Sequence, residues 1–171
     1  YFDGFTSCLI IGLITFSPMI IALSIGLFFT NKGNPFFSQL RPGKNEKLFS
    51  IIKFKTMNDK KNSDGSFKSD SERLTSFGGF VRKTSLDEIP QLINVLKGDM
   101  SIVGPRPTVK KHYESYPLKT RKEIYNNKPG ITGIASIVFR DEESLLSLQT
   151  GDPFVYYKDV IMPYKAKLEK W

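Results

Sequence analysis

Histidine and cysteine are nearly absent from this sequence, which contains one of each among its 171 residues. A single cysteine, Cys8, cannot form an internal disulfide, and this agrees with a reducing compartment. A single histidine, His112, argues against a His-rich metal centre and against a Ser–His catalytic triad. The polar stretch around His112 (KKHYES) predicts a position on the surface.

The common phosphate-binding loops are also missing. The sequence has no GxxxxGK[ST] loop, no GxGxxG after a strand, and no Cys/His spacing typical of a metal site. A magnesium ion held by carboxylates and substrate phosphates remains compatible with the sequence, because such sites need only one or two protein ligands.

Charge is missing from residues 5–29 (FTSCLIIGLITFSPMIIALSIGLFF), and this predicts a membrane segment. Pro18 lies in the middle of the run and is expected to kink or break a helix, and Ser17 can bond to a freed carbonyl. Each half then has about 12 residues and a length of roughly 18 Å, too short for a hydrocarbon core of about 30 Å. A re-entrant helix–break–helix and a kinked spanning helix both fit the composition.

The rest of the chain is basic. Asp3 is the only charged residue among the first 30, so the remainder carries 25 basic and 16 acidic side chains, a net charge of +9. A basic domain next to a membrane segment predicts a cytoplasmic position and anionic partners such as lipid headgroups, nucleotides or nucleic acid. Because the chain begins with Tyr1, we expect it to be part of a longer sequence.

The pattern after residue 30 predicts one small α+β domain over residues 31–171, rich in helix. We expect a β-hairpin formed by residues 36–39 and 48–54, an exposed loop over 58–70, and a helix over 85–96 that ends at Gly98. An extended segment over 101–107, a partly helical region over 108–127 and a turn over 128–133 should follow. Two further helical patterns cover 144–149 and 156–171.

Asp87 and Glu88 open the predicted helix of residues 85–96. One interpretation is a capping box, in which Ser85 is the N-cap residue and Glu88 follows three positions later. The other is a phosphoryl-transfer site, because Arg82 precedes the two carboxylates and a helix start offers N–H groups to a phosphate.

Five basic residues form a second candidate set: Arg41, Lys44, Lys53, Lys55 and Arg106. Lys53 and Lys55 share one face of a strand, and Arg106 lies between two prolines that restrict its backbone. Rigid arginines suit phosphate recognition, although a basic surface facing anionic lipid would have the same composition.

Six segments together resemble the bacterial sugar transferase family, the small monotopic phosphoglycosyl transferases. They are the apolar run with Ser17-Pro18, residues 39–43 (QLRPG), 53–57 (KFKTM), Arg82 with 85–88 (SLDE), 98–107 (GDMSIVGPRP) and 129–133 (PGITG).

The resemblance implies that a UDP-sugar donates its phosphosugar to polyprenol phosphate and releases UMP. In such enzymes the Asp of the dyad, here Asp87, attacks the phosphate next to the sugar and contacts Mg²⁺, while Glu88 assists it. The resemblance also implies that Arg82 contacts phosphate and that Arg106 helps to hold the nucleotide.

For the membrane segment, the resemblance implies a re-entrant hairpin over residues 1–30. Both chain ends and the catalytic domain would then lie on the cytoplasmic face of the bacterial inner membrane. We expect the other substrate-binding residues to be Arg41, Lys53 and Lys55.

The sequence departs from the family pattern in two places. Basic residues usually precede the pair found here as Phe2-Asp3, and a Trp-Ala-Gln-Val type of segment usually follows Gly133. Here residues 134–143 read IASIVFRDEE, and this leaves the identity of the sugar open. The polyprenol length, the oligomeric state and the pathway are open as well.

Two other functions are compatible with parts of the sequence. One is a membrane-anchored basic module that binds anionic ligands or nucleic acid, and the other is a structural anchor for a partner protein. Asp87-Glu88 within a basic face would repel nucleic-acid phosphates unless a metal intervened, so we expect no nucleic-acid partner.

Overall fold

The structure, a computed structural model, describes residues 4–170. Tyr1, Phe2-Asp3 and Trp171 lie outside the described residues. The helices are α1 (Gly4–Asn31), α2 (Asp70–Arg73), α3 (Ser76–Lys83), α4 (Gln91–Leu96), α5 (Lys110–Ser115), α6 (Leu118–Ile124), α7 (Ile134–Val138), α8 (Glu142–Ser147), α9 (Pro153–Tyr156) and α10 (Met162–Leu168). The strands are β1 (Phe36–Pro42), β2 (Leu48–Phe54), β3 (Ser101–Val103) and β4 (Gly130–Thr132). Short 3₁₀ turns occupy Lys44–Glu46 and Leu86–Glu88, and a π-helical turn occupies Tyr157–Ile161. This mixture confirms the α+β class.

The chain forms two compact units. The first unit contains the chain up to Gln39 together with Ile51–Leu96, and the second contains Leu40–Ser50 together with the chain from Lys97 onward. Strands β1 and β2 form a two-stranded sheet, as the sequence predicts, and each unit includes one end of this hairpin.

Helix α1 runs without interruption through Pro18, and this differs from the predicted helix–break–helix. Pro18 has no N–H to bond to the carbonyl of Ile14, four residues earlier. Ser17 Oγ donates to that carbonyl at 2.7 Å, so the helix continues with its carbonyl bonded. Its 28 residues correspond to about 42 Å, and within residues 4–170 it is the one helix long and apolar enough to cross a membrane. The path of α1 relative to a bilayer stays a prediction.

The first unit has its core where the second half of α1 packs against α3. Leu23 and Leu27 of α1 are buried with Phe54 of β2 and Val81 of α3. The rest of α1 is largely apolar and exposed, with Phe5, Ile11, Ile14, Phe16, Ile21, Ile25, Phe28 and Phe29 all at least half exposed. A contiguous apolar surface of this kind is typical of a protein that contacts membrane.

The predicted loop of residues 58–70 is exposed along nearly its whole length. Two isolated antiparallel bridges, Met57–Leu74 and Lys61–Phe67, join its two sides.

The second unit contains a short parallel pair of strands. Ser101 of β3 is in register with Gly130 of β4, and Val103 is in register with Thr132. The prediction of a turn over residues 128–133 was therefore wrong for β4. Gly130 permits this pairing, because a Cβ there would lie 2.1 Å from the backbone nitrogen of Gly104.

The core of the second unit is rich in tyrosine. Its buried members are Tyr116, Ile124, Tyr125, Tyr157, Ile161, Met162 and Ala166. His112 stacks on Tyr157 with ring centroids 4.1 Å apart and is half-buried, so the predicted surface position was wrong. Helices α5 and α6 confirm the predicted helical content of residues 108–127.

Candidate active site

Asp87 and Glu88 lie in a single 3₁₀ turn between α3 and α4, not in the first turn of one long helix. Ser85 has φ +57° and ψ 16°, the left-handed conformation, and its side chain caps nothing. The capping-box interpretation was therefore wrong. A non-glycine residue in this conformation costs roughly 1–2 kcal/mol. Here it separates the end of α3 from the 3₁₀ turn that contains both carboxylates.

Glu88 is held by a lysine from the strand. Lys53 Nζ of β2 donates to Glu88 Oε1 at 2.6 Å, and the two side chains are 20% and 15% exposed. An ion pair with so little exposure is screened much less than one at the surface. Lys53 thus contacts Glu88 of the dyad, and its predicted contact with substrate stays a prediction.

Lys55, in contrast, forms an ion pair with Asp59, whose side chain is 60% exposed. The structure does not place it in a bond with Asp87 or Glu88. Its predicted contact with substrate stays a prediction.

Asp87 is half-buried, and its pKa is raised above the usual aspartate value. Burial is the main cause, and the charge of Glu88 adds to it. Lys53 and Arg82 act in the opposite direction and favour the ionised form. A partly desolvated carboxylate beside two cations is a good candidate for a nucleophile, because little water has to be removed before it attacks.

Helix α3 places Arg82 near the dyad. Thr75 Oγ1 accepts from the N–H of Gly78 at 3.0 Å and fixes the start of the helix. Arg82 is exposed in the last turn of α3, and its charge acts on Asp87. The same charge would attract an anionic ligand that approaches Asp87.

Two buried polar residues of α4 were missed by the sequence analysis. Asn94 is fully buried, and its Oδ1 accepts from the N–H of Ile52 at 3.0 Å, which fastens α4 to the strand that carries Lys53. Gln91, three residues earlier, is 2% exposed. Both amides lie opposite the apolar positions of the predicted helix, so the sequence pattern gave no signal for their burial.

Arg41 and Arg106 lie near each other in the second unit. Arg41 Nη1 donates to the carbonyl of Pro107 at 3.3 Å. Burial lowers the pKa of Arg41, and the positive charge of Arg106 contributes to this. Two neighbouring guanidinium groups with this mutual repulsion favour an anion between or beside them.

The donor chemistry of the two dyad carboxylates shows whether they could bind magnesium. No group of three or more His, Cys, Asp or Glu side chains suited to a metal occurs within residues 4–170. Mg²⁺ bound by one or two carboxylates together with substrate phosphates needs no such group. Asp87, half-buried with a raised pKa, is a carboxylate that a cation would stabilise in its charged form, so the residues fit.

Residues 1–161 match the sequence model of bacterial sugar transferases. The chain belongs to the bacterial sugar transferase family. The match includes Asp87, Glu88 and every basic residue of the candidate set, and it ends before α10.

Curated members of the family resemble the chain over most of its length. The uncharacterized sugar transferase EpsL of Bacillus subtilis is 46% identical over 124 residues, which are 71% of this chain and 60% of that protein. The UDP-glucose:undecaprenyl-phosphate glucose-1-phosphate transferase of Klebsiella pneumoniae is 40% identical over 129 residues, 73% of this chain and 28% of that protein.

A third relative is named for a different sugar. It is the UDP-N-acetylgalactosamine-undecaprenyl-phosphate N-acetylgalactosaminephosphotransferase of Aeromonas hydrophila, 35% identical over 133 residues, 75% of this chain and 31% of that protein. The chain thus spans 60% or less of each of these three sugar transferases.

Proposed function

We propose that the protein is a phosphoglycosyl transferase that moves a sugar-1-phosphate from a UDP-sugar to polyprenol phosphate. The products are UMP and polyprenol-diphosphate-sugar, the first membrane-bound intermediate of a glycoconjugate. The observation that carries the proposal is the half-buried Asp87 with its raised pKa, beside the Lys53–Glu88 ion pair and the Arg82 charge. The names of the relatives support the substrate classes.

In the first half-reaction, a carboxylate oxygen of Asp87 attacks the phosphorus next to the sugar. An aspartyl–phosphorus bond forms, the phosphoanhydride bond to UMP breaks, and UMP leaves with the electron pair. In the second half-reaction, an oxygen of polyprenol phosphate attacks the same phosphorus. The aspartyl bond then breaks, and Asp87 is again a carboxylate. Each step forms one P–O bond and breaks one.

The neighbouring residues orient and neutralise charge in this proposal. The ion pair with Lys53 fixes the position of the Glu88 side chain, so that Glu88 assists Asp87 without moving into contact with it. Arg82 contacts the phosphate that Asp87 attacks, since electrostatic stabilisation of transferring phosphoryl groups is a large part of such catalysis. Arg106 and Arg41 hold the nucleotide diphosphate, and Lys55 is a further phosphate contact.

Magnesium is part of the proposal as a cofactor. When bound by Asp87 and the substrate phosphates, it would neutralise the diphosphate and stabilise the leaving UMP. The protein's own contribution is the placement and ionisation of Asp87.

Helix α1 anchors the protein in the bacterial inner membrane, and the catalytic residues lie on its cytoplasmic surface. The support is the exposed apolar side of α1 and the basic charge of the remaining chain. We propose that α1 bends at Pro18 in the membrane and follows a re-entrant path, with both chain ends on the cytoplasmic face and the catalytic domain on the membrane surface.

The proposal is tested by measuring UMP release from a panel of UDP-sugars in the presence of polyprenol phosphate and magnesium. Release that depends on the lipid, and that Asp87→Asn abolishes, is the expected result. Absence of release with every sugar, together with salt-dependent binding of nucleic acid, would favour the membrane-anchored basic module instead.

A further inference from the structure

Glu169 is a buried carboxylate that takes no part in the reaction proposed above. It is 2% exposed and caps the end of α10 in the second unit, where its N–H bonds to the carbonyl of Lys165 at 2.9 Å. It lies beyond residue 161, where the family match ends. A buried carboxylate is costly unless it has partners, so its contacts indicate what it does.

The carboxylate meets the backbone of Arg106. The N–H of Arg106 donates to Glu169 Oε1 at 3.4 Å. Pro105 and Pro107 have no N–H, so Arg106 supplies the one backbone donor of this three-residue segment. Glu169 accepts from that donor.

The two prolines are fastened through their carbonyls. Pro105 accepts from the N–H of Gly130 at 3.0 Å, and Pro107 accepts from Arg41 Nη1 at 3.3 Å. Each residue of the segment thus has at least one hydrogen bond to a different part of the second unit. The backbone that carries the Arg106 side chain is therefore fixed by hydrogen bonds at three consecutive positions.

Charged groups surround the Glu169 carboxylate. On α10, Lys165 faces it and is itself paired with Glu142 of α8, with 2.6 Å between Nζ and Oε2. Arg106 faces it from the proline segment. Burial raises the pKa of Glu169 to about 7, and the charges of Lys165 and Arg106 oppose this rise. Three tyrosine hydroxyls complete the surroundings, those of Tyr116, Tyr125 and Tyr157.

We propose that Glu169 is a positioning residue for Arg106, which it holds by the backbone so that the guanidinium is presented to the diphosphate of the nucleotide-sugar. The proposal rests on the function proposed above. It adds a residue of the C-terminal helix to the substrate-binding machinery and gives it a role through Arg106 rather than through contact with substrate.

A residue that positions a binding group affects affinity more than the chemical step. Glu169→Leu has a similar size but no oxygen, so the Arg106 N–H loses its acceptor. The KM for the UDP-sugar should rise about tenfold, equivalent to about 1.4 kcal/mol, while kcat changes by less than about threefold. Glu169→Gln keeps an oxygen at the same place and should restore KM to within about threefold of the unchanged protein.

Met162→Ala is the matched control, because it removes a buried side chain of the same helix from the tyrosine-rich core. All three variants are measured in membranes or detergent with the full chain, and thermal unfolding is recorded for each. A merely structural role predicts that KM follows the loss of stability, so that Met162→Ala and Glu169→Leu raise it alike. That outcome would overturn the proposal, as would a Glu169→Gln protein whose kcat falls as far as that of Asp87→Asn.

The failure of this inference is distinguishable from the failure of the proposed function. An unchanged protein that turns over no UDP-sugar contradicts the function, and the inference is then judged by UDP binding measured calorimetrically on the same variants. Weaker binding in Glu169→Leu, with normal binding in Glu169→Gln, supports the positioning role. Equal binding in all variants contradicts it.

Discussion

Lys53 and Glu88 lie 35 residues apart in the chain and form an ion pair with 2.6 Å between Nζ and Oε1. The pair keeps Glu88 beside Asp87, while the charge of Lys53 opposes the rise in the pKa of Asp87. These three side chains form one electrostatic unit, so a change in one is expected to alter the other two.

Lys53→Met should change both activity and stability. Without the lysine, the pKa of Asp87 rises further, so the acid limb of kcat/KM moves to higher pH. The half-buried Glu88 also loses its partner, and the free energy of unfolding should fall by about 1–3 kcal/mol. A pH–rate profile and chemical denaturation measure the two effects.

Lys55→Met is the control for that experiment. Its partner Asp59 is mostly exposed, and an exposed ion pair contributes about 0–1 kcal/mol. We expect little loss of stability and no movement of the acid limb. An equal movement in both variants would contradict the assignment of Lys53 to the dyad.

Asp87→Asn keeps the shape of the side chain and removes its charge. UMP release should fall to background, because an amide does not attack phosphorus, and Glu88→Gln should be severely impaired. Since burial disfavours the charged form of Asp87, the free energy of unfolding at neutral pH should stay equal or increase. A retained rate in Asp87→Asn, measured together with its thermal unfolding, would contradict the covalent mechanism.

Local sequence patterns predicted the hairpin and the helical content of residues 108–127. They failed where distant backbone decides the conformation. Residues 128–133 have the composition of a turn, but residues 130–132 form a strand because β3 lies beside them in parallel. Ser85 has the sequence of an N-cap, but its backbone is left-handed. Glu169 was missed because its partner Arg106 is 63 residues away.

Glu169→Gln should change the pH dependence of stability. The pKa of Glu169 rises from 4.5 to about 7 on folding, so the folded state holds the proton more tightly than the unfolded state. The unchanged protein therefore loses stability as pH rises between these values, by at most about 3 kcal/mol at 1.36 kcal/mol per unit. The glutamine variant lacks this loss, and its stability relative to the unchanged protein should be greater near pH 8 than near pH 4. An equal difference at both pH values would show that Glu169 does not titrate in this way.

The path of α1 can be tested by labelling cysteines at the chain ends. In a Cys8→Ala background, Tyr1→Cys and Trp171→Cys should both react from the cytoplasmic side if α1 re-enters. Replacing Ser17 and Pro18 with Ala or Leu removes the side-chain hydrogen bond to the Ile14 carbonyl and restores the backbone N–H at position 18. The regular helix that results should favour a path that spans the membrane. Position 1 should then react from the other side. Opposite exposure of the two ends in the unaltered helix would contradict re-entry.

The order of the two half-reactions follows from the covalent role of Asp87. If Asp87 accepts the phosphosugar, the protein with a UDP-sugar and magnesium should release UMP in an amount near one per active site and then stop. Addition of polyprenol phosphate should restart the reaction, with ping-pong kinetics. The physical reason is that the sequential use of one basic site avoids holding three phosphates together, whose repulsion at short range is large.

Mass spectrometry of the protein incubated without lipid measures the intermediate directly. We expect the added mass of a phosphosugar on the peptide that contains Asp87, and no such mass in Asp87→Asn. Glu88→Gln serves as a second comparison, since it keeps the Asp87 nucleophile. If no UMP appears without lipid, and double-reciprocal plots intersect, then the phosphosugar passes directly between the substrates in a ternary complex. Asp87 would in that case act as a metal ligand or a base, and the Lys53–Glu88 pair would tune that role instead.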